Sequence, residues 1–301
     1  PEGKGSISDK HYLSLGCPQS RSTGNSKDLL RDYFYTCDVV LAVGTRFANA
    51  EAKPFQRVIQ IDIDQNEIAR NHKNTLGLIG DARKVLFKLL KNIKSKNRPR
   101  KKQNVFFNKM RSNRYDNPSN QVEPLKSYVT ALRKGIPSDG ILVTDMTTIA
   151  YYSRVHYQTY YPRTYFTSSY SGNLGSAFPT SLGVKVAKPN NVVVSISGDG
   201  GFLFNSQELA TAAQFKINVI AVVFNDEAYG NVKRDMKDMF KGKHLGSKLK
   251  NPNFIKLAES YGVIGMRAKN PKELEKSIKK AITLNKTVLI EVPIGNTPSP
   301  F

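Results

Sequence analysis

At 301 residues, with 39% hydrophobic content, the chain is long enough for about two packed domains. No run of about eighteen apolar residues occurs, so no membrane-spanning helix is expected. Two cysteines, Cys17 and Cys37, outside any metal-type spacing, and four scattered histidines argue against a zinc cluster and for a free-thiol, cytoplasmic protein, although a chain opening at Pro1 leaves room for an upstream targeting segment.

The net charge of +22, from 46 basic and 24 acidic residues, is spread along the chain. That spread reads as solvated faces, so nucleic-acid binding is not expected as the main function.

In chain order, "DVVLAVG" (38–44) and "RVIQIDI" (57–63) read as short buried strands, with a helix opening at Gln65. "LGLIG" (76–80) leads into the amphipathic helix "DARKVLFKLLKNI", with Asp81 as N-cap. Residues 1–92 are therefore read as the later part of a Rossmann-like domain. The stretch 93–121 is read as an irregular basic linker, because "KNIKSKNRPRKK" (91–102) holds seven basic residues and no acid.

Residues 122–301 alternate helix and strand, which predicts a doubly wound parallel α/β domain. The expected helices are 122–136, with Pro124 in the first turn, 148–157, 176–189, 206–216, 252–261 and 271–284. The expected strands are "ILVTDMT" (141–147), "RTYFTS" (163–168), "NVVVSIS" (191–197), "NVIAVVF" (218–224) and "TVLIEVP" (287–293). The charged stretch 231–250 is expected to be a segment lying over the site.

Open parallel sheets bind ligands beyond the carboxyl ends of their strands. Asp199 and Asp226 follow two strands joined by a helical crossover, so the strands should be neighbours, about 4.8 Å apart. Two carboxylates so placed suit one Mg2+, which takes few protein oxygens and leaves the rest to phosphate and water. Gly198, Gly200 and Gly201 let the backbone turn sharply against a bulky anion, and Tyr229 and Gly230 lie on the second loop.

The stretch "GDGGFLFNSQELATAAQFKINVIAVVFNDEAYG" resembles the cofactor motif of thiamine diphosphate enzymes. "SYSGNLGSAFPTSLGVKVAKP", "NPNFIKLAESYGV" and "TVLIEVPIGNTPSP" look like the diphosphate-binding domain of the acetolactate-synthase-like group. "DVVLAVGTRF" and "VIQIDIDQNEIARN" are similar to the later part of its central domain.

The resemblance implies a thiamine diphosphate- and Mg2+-dependent 2-oxo acid decarboxylase or carboligase, with the thiamin diphosphate-binding fold. It implies Asp199, Asp226 and the Ala228 carbonyl as metal ligands. Asn225, Gly198, Gly200, Gly201, Tyr229 and Gly230 would line the diphosphate site, with Thr147 and Thr148 near it. Gly172 and Leu174 would hold the aminopyrimidine, the Leu side chain bending the cofactor.

The family usually has Asn where this chain has Asp226, which adds a charge beside the diphosphate. "GTRFANAEAKPF" departs from the pattern of flavin-holding relatives, so FAD is not expected. The activating glutamate of the family lies in a pyrimidine-binding domain that no segment here resembles. That domain is expected from the same longer chain or another subunit, in a homo-oligomer, a dimer or tetramer, and this chain alone is expected to be inactive. The alternatives are a non-catalytic cofactor-binding subunit and a polyanion-binding protein. Glu208 is read as a helix-start residue, His156 as packed among aromatics, and Asp62 and Asp64 as turn residues.

Overall fold

The computed structural model describes residues 3–17, 29–48, 52–93, 103–116, 122–168 and 171–300. They fall into two compact units, Pro18–Met110 and Pro1–Cys17 with Arg111–Phe301.

The first unit holds a short helix α1 (Leu29–Phe34) and three strands, β1 (Val39–Val43), β2 (Arg57–Asp62) and β3 (Thr75–Ile79). They form a parallel sheet in the order β1-β2-β3. Helix α2 (Ala82–Ile93) follows, and Asp81 accepts the Lys84 N–H at 3.0 Å as its cap. The helix expected from Gln65 is one 3₁₀ turn, Gln65–Glu67, capped by Asp64. It ends after that turn because Ile68 is extended.

Within the expected irregular linker lies a 14-residue helix, α3 (Gln103–Asp116). The rest of that linker, 94–102 and 117–121, lies outside the described residues. Residues 3–17 group with the second unit: the Asp9 N–H bonds the Thr159 carbonyl at 2.9 Å, and Asp9 Oδ2 accepts the Thr159 N–H at 2.7 Å.

The second unit has helices α4 (Leu125–Gly135), α5 (Thr148–His156), α6 (Ala177–Ala187), α7 (Asp199–Leu203), α8 (Glu208–Gln214), α9 (Gly230–Met239), α10 (Phe254–Ser260) and α11 (Pro271–Leu284). Its strands are β4 (Ile141–Thr144), β5 (Tyr165–Thr167), β6 (Val193–Gly198), β7 (Ile220–Asn225), β8 (Ile264–Arg267) and β9 (Val288–Pro293). All are parallel, in the order β5-β4-β6-β7-β9-β8.

Strand residues alternate between two buried cores, as the two-residue pleat requires. On β7, Ile220, Val222 and Phe224 pack with α4 and α11 through Leu132, Leu274 and Ile278. Ala221 and Val223 point the other way, toward Phe178, Leu209 and Phe254 of α6, α8 and α10. Burial on both faces explains why these strands read as continuous apolar runs.

From β4 the chain runs outward to β5 and then returns to β6 on the other side of β4, so the direction of winding reverses there. Such a reversal splays the loops at the strand ends and opens a crevice. No helix among the described residues is long and apolar enough to cross a membrane.

Candidate functional site

The crevice is a cleft of about 270 Å³ at the carboxyl ends of β4, β6 and β7. Strand pairing sets Gly198 opposite Phe224, so the next residues of each strand, Asp199 and the Asn225–Asp226 turn, leave the sheet side by side. Asp199 is buried, and its carboxylate accepts a hydrogen bond from the Asn251 amide at 2.6 Å.

Asp226 is half-buried and lies within hydrogen-bonding reach of Asp199. Burial raises both acids above the usual carboxylate range, and at Asp226 the Asp199 charge raises it further. No Lys or Arg among the described residues lies within ion-pair distance of either acid. Two facing carboxylates without a cationic side chain fit a divalent cation.

Three helices begin at this cleft. Their N-caps Thr147 (α5), Gly198 (α7) and Tyr229 (α9) all line it, and none makes a side-chain capping bond. First-turn N–H groups without caps, at the positive ends of three helices, suit a polyanion such as diphosphate.

Two glycines shape the wall. A Cβ on Gly230 would run into the Asp226 carboxylate. Gly172 has φ +65°, and a Cβ there would lie 2.9 Å from Met146 Cε. Leu174, two residues on, faces the cleft and stays 38% exposed.

The structure thus brings Thr147, Thr148, Gly172 and Leu174 to the same cleft as Asp199, Asp226 and Ala228. Gly198, Gly200, Gly201, Tyr229 and Gly230 complete the wall on the α7 and α9 side. Asn225 stands apart from the others. It does not line the cleft; its Nδ2 donates to Glu291 at 2.9 Å and its Oδ1 accepts from Asn251 at 2.8 Å. A side chain so engaged supports the loop from behind.

The stretch 231–250 opens as α9, whose Asn231 joins Thr148 of α5 at 3.2 Å and Arg234 at 2.6 Å. The segment beyond it runs antiparallel to residues 227–229: the Tyr229 N–H bonds Ser247 O at 2.9 Å, and the Leu249 N–H bonds Glu227 O at 2.8 Å. The turn between Asp226 and Ala228 needs Glu227 at φ +53°, and its N–H bonds Asn225 Oδ1.

Glu208 opens α8 and accepts from Thr211 at 2.7 Å. His156 stacks on Tyr152 with centroids 4.1 Å apart. Asp62 and Asp64 accept backbone N–H groups in their own turn.

Three supporting residues escape a sequence reading. Asp145 is buried at the end of β4, accepting the Met146 N–H at 2.7 Å and the Gly175 N–H at 2.9 Å, which fixes the far end of the Gly172–Gly175 turn. Burial raises its carboxyl above the usual range despite these bonds. Its place after a strand end is the signal that could have found it. For Glu291, which is buried, the signal that could have found it is an acid set inside the apolar run "TVLIEVP". Asn251 carries no sequence signal.

The chain matches two family models: the thiamine pyrophosphate enzyme central domain over residues 1–89, and the thiamine pyrophosphate enzyme C-terminal TPP binding domain over residues 145–292. It is 31% identical to a probable acetolactate synthase large subunit of Methanococcus aeolicus, over 97% of this chain and 52% of that protein. It is 29% identical to the acetolactate synthase isozyme 3 large subunit of Escherichia coli, over 98% of this chain and 54% of that protein. The chain therefore spans about half the length of the curated relatives it matches.

Proposed function

Because this chain belongs to the thiamine pyrophosphate enzymes, in their acetolactate synthase-like branch, we propose that it forms the cofactor-holding portion of a Mg2+-dependent 2-oxo acid decarboxylase or carboligase. The observation that carries this reading is the Asp199–Asp226 pair beside three uncapped helix starts in one cleft. That arrangement supplies negative charge for a divalent cation and N–H donors for a diphosphate within the same wall.

In this reading Asp199, Asp226 and the Ala228 carbonyl hold the cation. The first-turn N–H groups near Thr148, Gly200, Gly201 and Gly230 face the diphosphate, with no side-chain positive charge needed. Gly172 would offer its carbonyl to the aminopyrimidine, and Leu174 would pack against the cofactor from the cleft wall. Met146, Val232 and Ile294 add apolar surface that keeps water from the reacting end. Thiamine diphosphate, when bound, supplies a thiazolium that accepts the electron pair released on decarboxylation of a 2-oxo acid.

The reading assigns no proton-transfer residue to this chain. A pyrimidine-binding domain, from the same protein or from another subunit of a homo-oligomer, would supply it. The test, made on the assembly that includes the pyrimidine-binding domain, is isothermal titration with thiamine diphosphate at rising Mg2+, followed by pyruvate consumption and detection of acetolactate and acetaldehyde. Mg2+-dependent uptake with turnover is expected. Uptake without turnover of any 2-oxo acid would favour a non-catalytic cofactor-binding subunit, and no uptake would overturn the proposal.

A further inference from the structure

Behind Asp199 lies a run of polar side chains that do not line the cleft. Glu291 of β9 is buried, and Arg267 of β8 holds its Oε2 with Nε at 2.9 Å and Nη2 at 2.8 Å. Glu291 Oε1 accepts from Asn225 Nδ2 at 2.9 Å.

An ionised carboxylate only accepts, so this contact fixes which way the Asn225 amide faces. Asn225 Oδ1 therefore faces Asn251 and the Glu227 N–H, at 2.8 and 3.2 Å. The same rule then fixes Asn251. Its Nδ2 gives one hydrogen to Asn225 and the other to Asp199 Oδ2, at 2.6 Å. Asn251 Oδ1 is left buried with no donor in reach among the described residues, an unfavourable arrangement that argues against a role in stability alone.

Asn251 also ends the segment whose backbone braces residues 227–229. One side chain thus ties the loop carrying one acid of the pair to the carboxylate of the other. We propose that Asn251 is a positioning residue for the metal site, setting the orientation of the Asp199 carboxylate and its spacing from Asp226, with Glu291 and Arg267 fixing the direction of its amide. The inference rests on the cation reading above and goes beyond it, because Asn251 is no ligand.

The test uses the protein with Mn2+ as probe. Asn251→Ala is expected to weaken Mn2+ and Mg2+ binding by about 10- to 100-fold, the usual effect of losing a residue that orients a ligand. It should also broaden the Mn2+ electron paramagnetic resonance spectrum and narrow the preference for Mg2+ over Ca2+, while the metal-free protein melts as wild type does. Glu291→Gln, which frees the Asn225 amide to turn over, should give a smaller loss in the same direction. Asn251→Ser, which keeps one donor, should recover part of the affinity and serves if the alanine variant does not fold.

Wild type binding Mn2+ while Asn251→Ala binds it equally, with an unchanged spectrum, overturns this inference alone. Wild type taking up no Mn2+, with thiamine diphosphate present as well as absent, overturns the proposed function and this inference with it.

Discussion

Asp226→Asn removes one of two like charges from the cleft while keeping the shape of the side chain. In the metal-free protein burial, and then the charge of Asp199, raise the Asp226 carboxyl from 3.8 to about 7. A rise of that size corresponds to about 4 kcal/mol, and water around a half-buried carboxylate reduces the effect to about 2 kcal/mol.

The sign follows from proton linkage. The folded state binds this proton more tightly than the unfolded chain does. Its contribution therefore favours folding in full below about pH 4 and is lost as pH rises through about 7. At pH 8 metal-free Asp226→Asn should be about 2 kcal/mol more stable than wild type, a margin that shrinks toward zero at pH 4. Mg2+ affinity should move the other way, falling about tenfold or more with the lost charge, and thiamine diphosphate should still bind once Mg2+ is raised. Urea denaturation at the two pH values and a Mg2+ titration of cofactor binding measure both effects. Equal stability of the two proteins at pH 8, or loss of cofactor binding at every Mg2+ concentration, would refute the reasoning.

Gly230→Ala pushes a methyl group against the Asp226 carboxylate; circular dichroism should be retained while Mg2+-dependent cofactor uptake falls at least tenfold in a calorimetric titration. Asp145→Ala removes the acceptor of the Met146 and Gly175 N–H groups; a loss of about 2–3 kcal/mol in denaturant midpoint analysis is expected, along with weaker cofactor binding. Leu174→Ala should leave stability within about 0.5 kcal/mol, because the side chain is partly exposed in the cleft, yet lower turnover of a 2-oxo acid about tenfold in a steady-state assay.

Strands β6 and β7 were legible because burial on both faces forces long β-branched runs, and their adjacency followed from a short crossover. The two aspartates came with them as residues just past strand ends. β8 was not legible: Ile264–Arg267 is a short edge strand interrupted by Gly265 and only half-buried, so it shows neither alternation nor an apolar run. α3 is polar, with weak amphipathic patterning, and reads as a solvated linker. Nothing local to "KNPNF" reveals Asn251, which meets Asp199 across 52 positions of sequence. The motif resemblance gives Asn225 a diphosphate role; in the structure its amide nitrogen donates to the buried acid of β9, a contact that no local pattern announces.

β8 is the outermost strand of its sheet, paired on one side alone with β9. Arg267 sits at its end and is the only counter-charge that Glu291 has among the described residues. Fraying of that margin on warming would release the buried acid, let the asparagine amides turn over, and loosen the grip on the ion while the inner strands stay intact. Heat inactivation should therefore begin as a reversible loss of cofactor, delayed by excess Mg2+, at temperatures where the fold as a whole still stands.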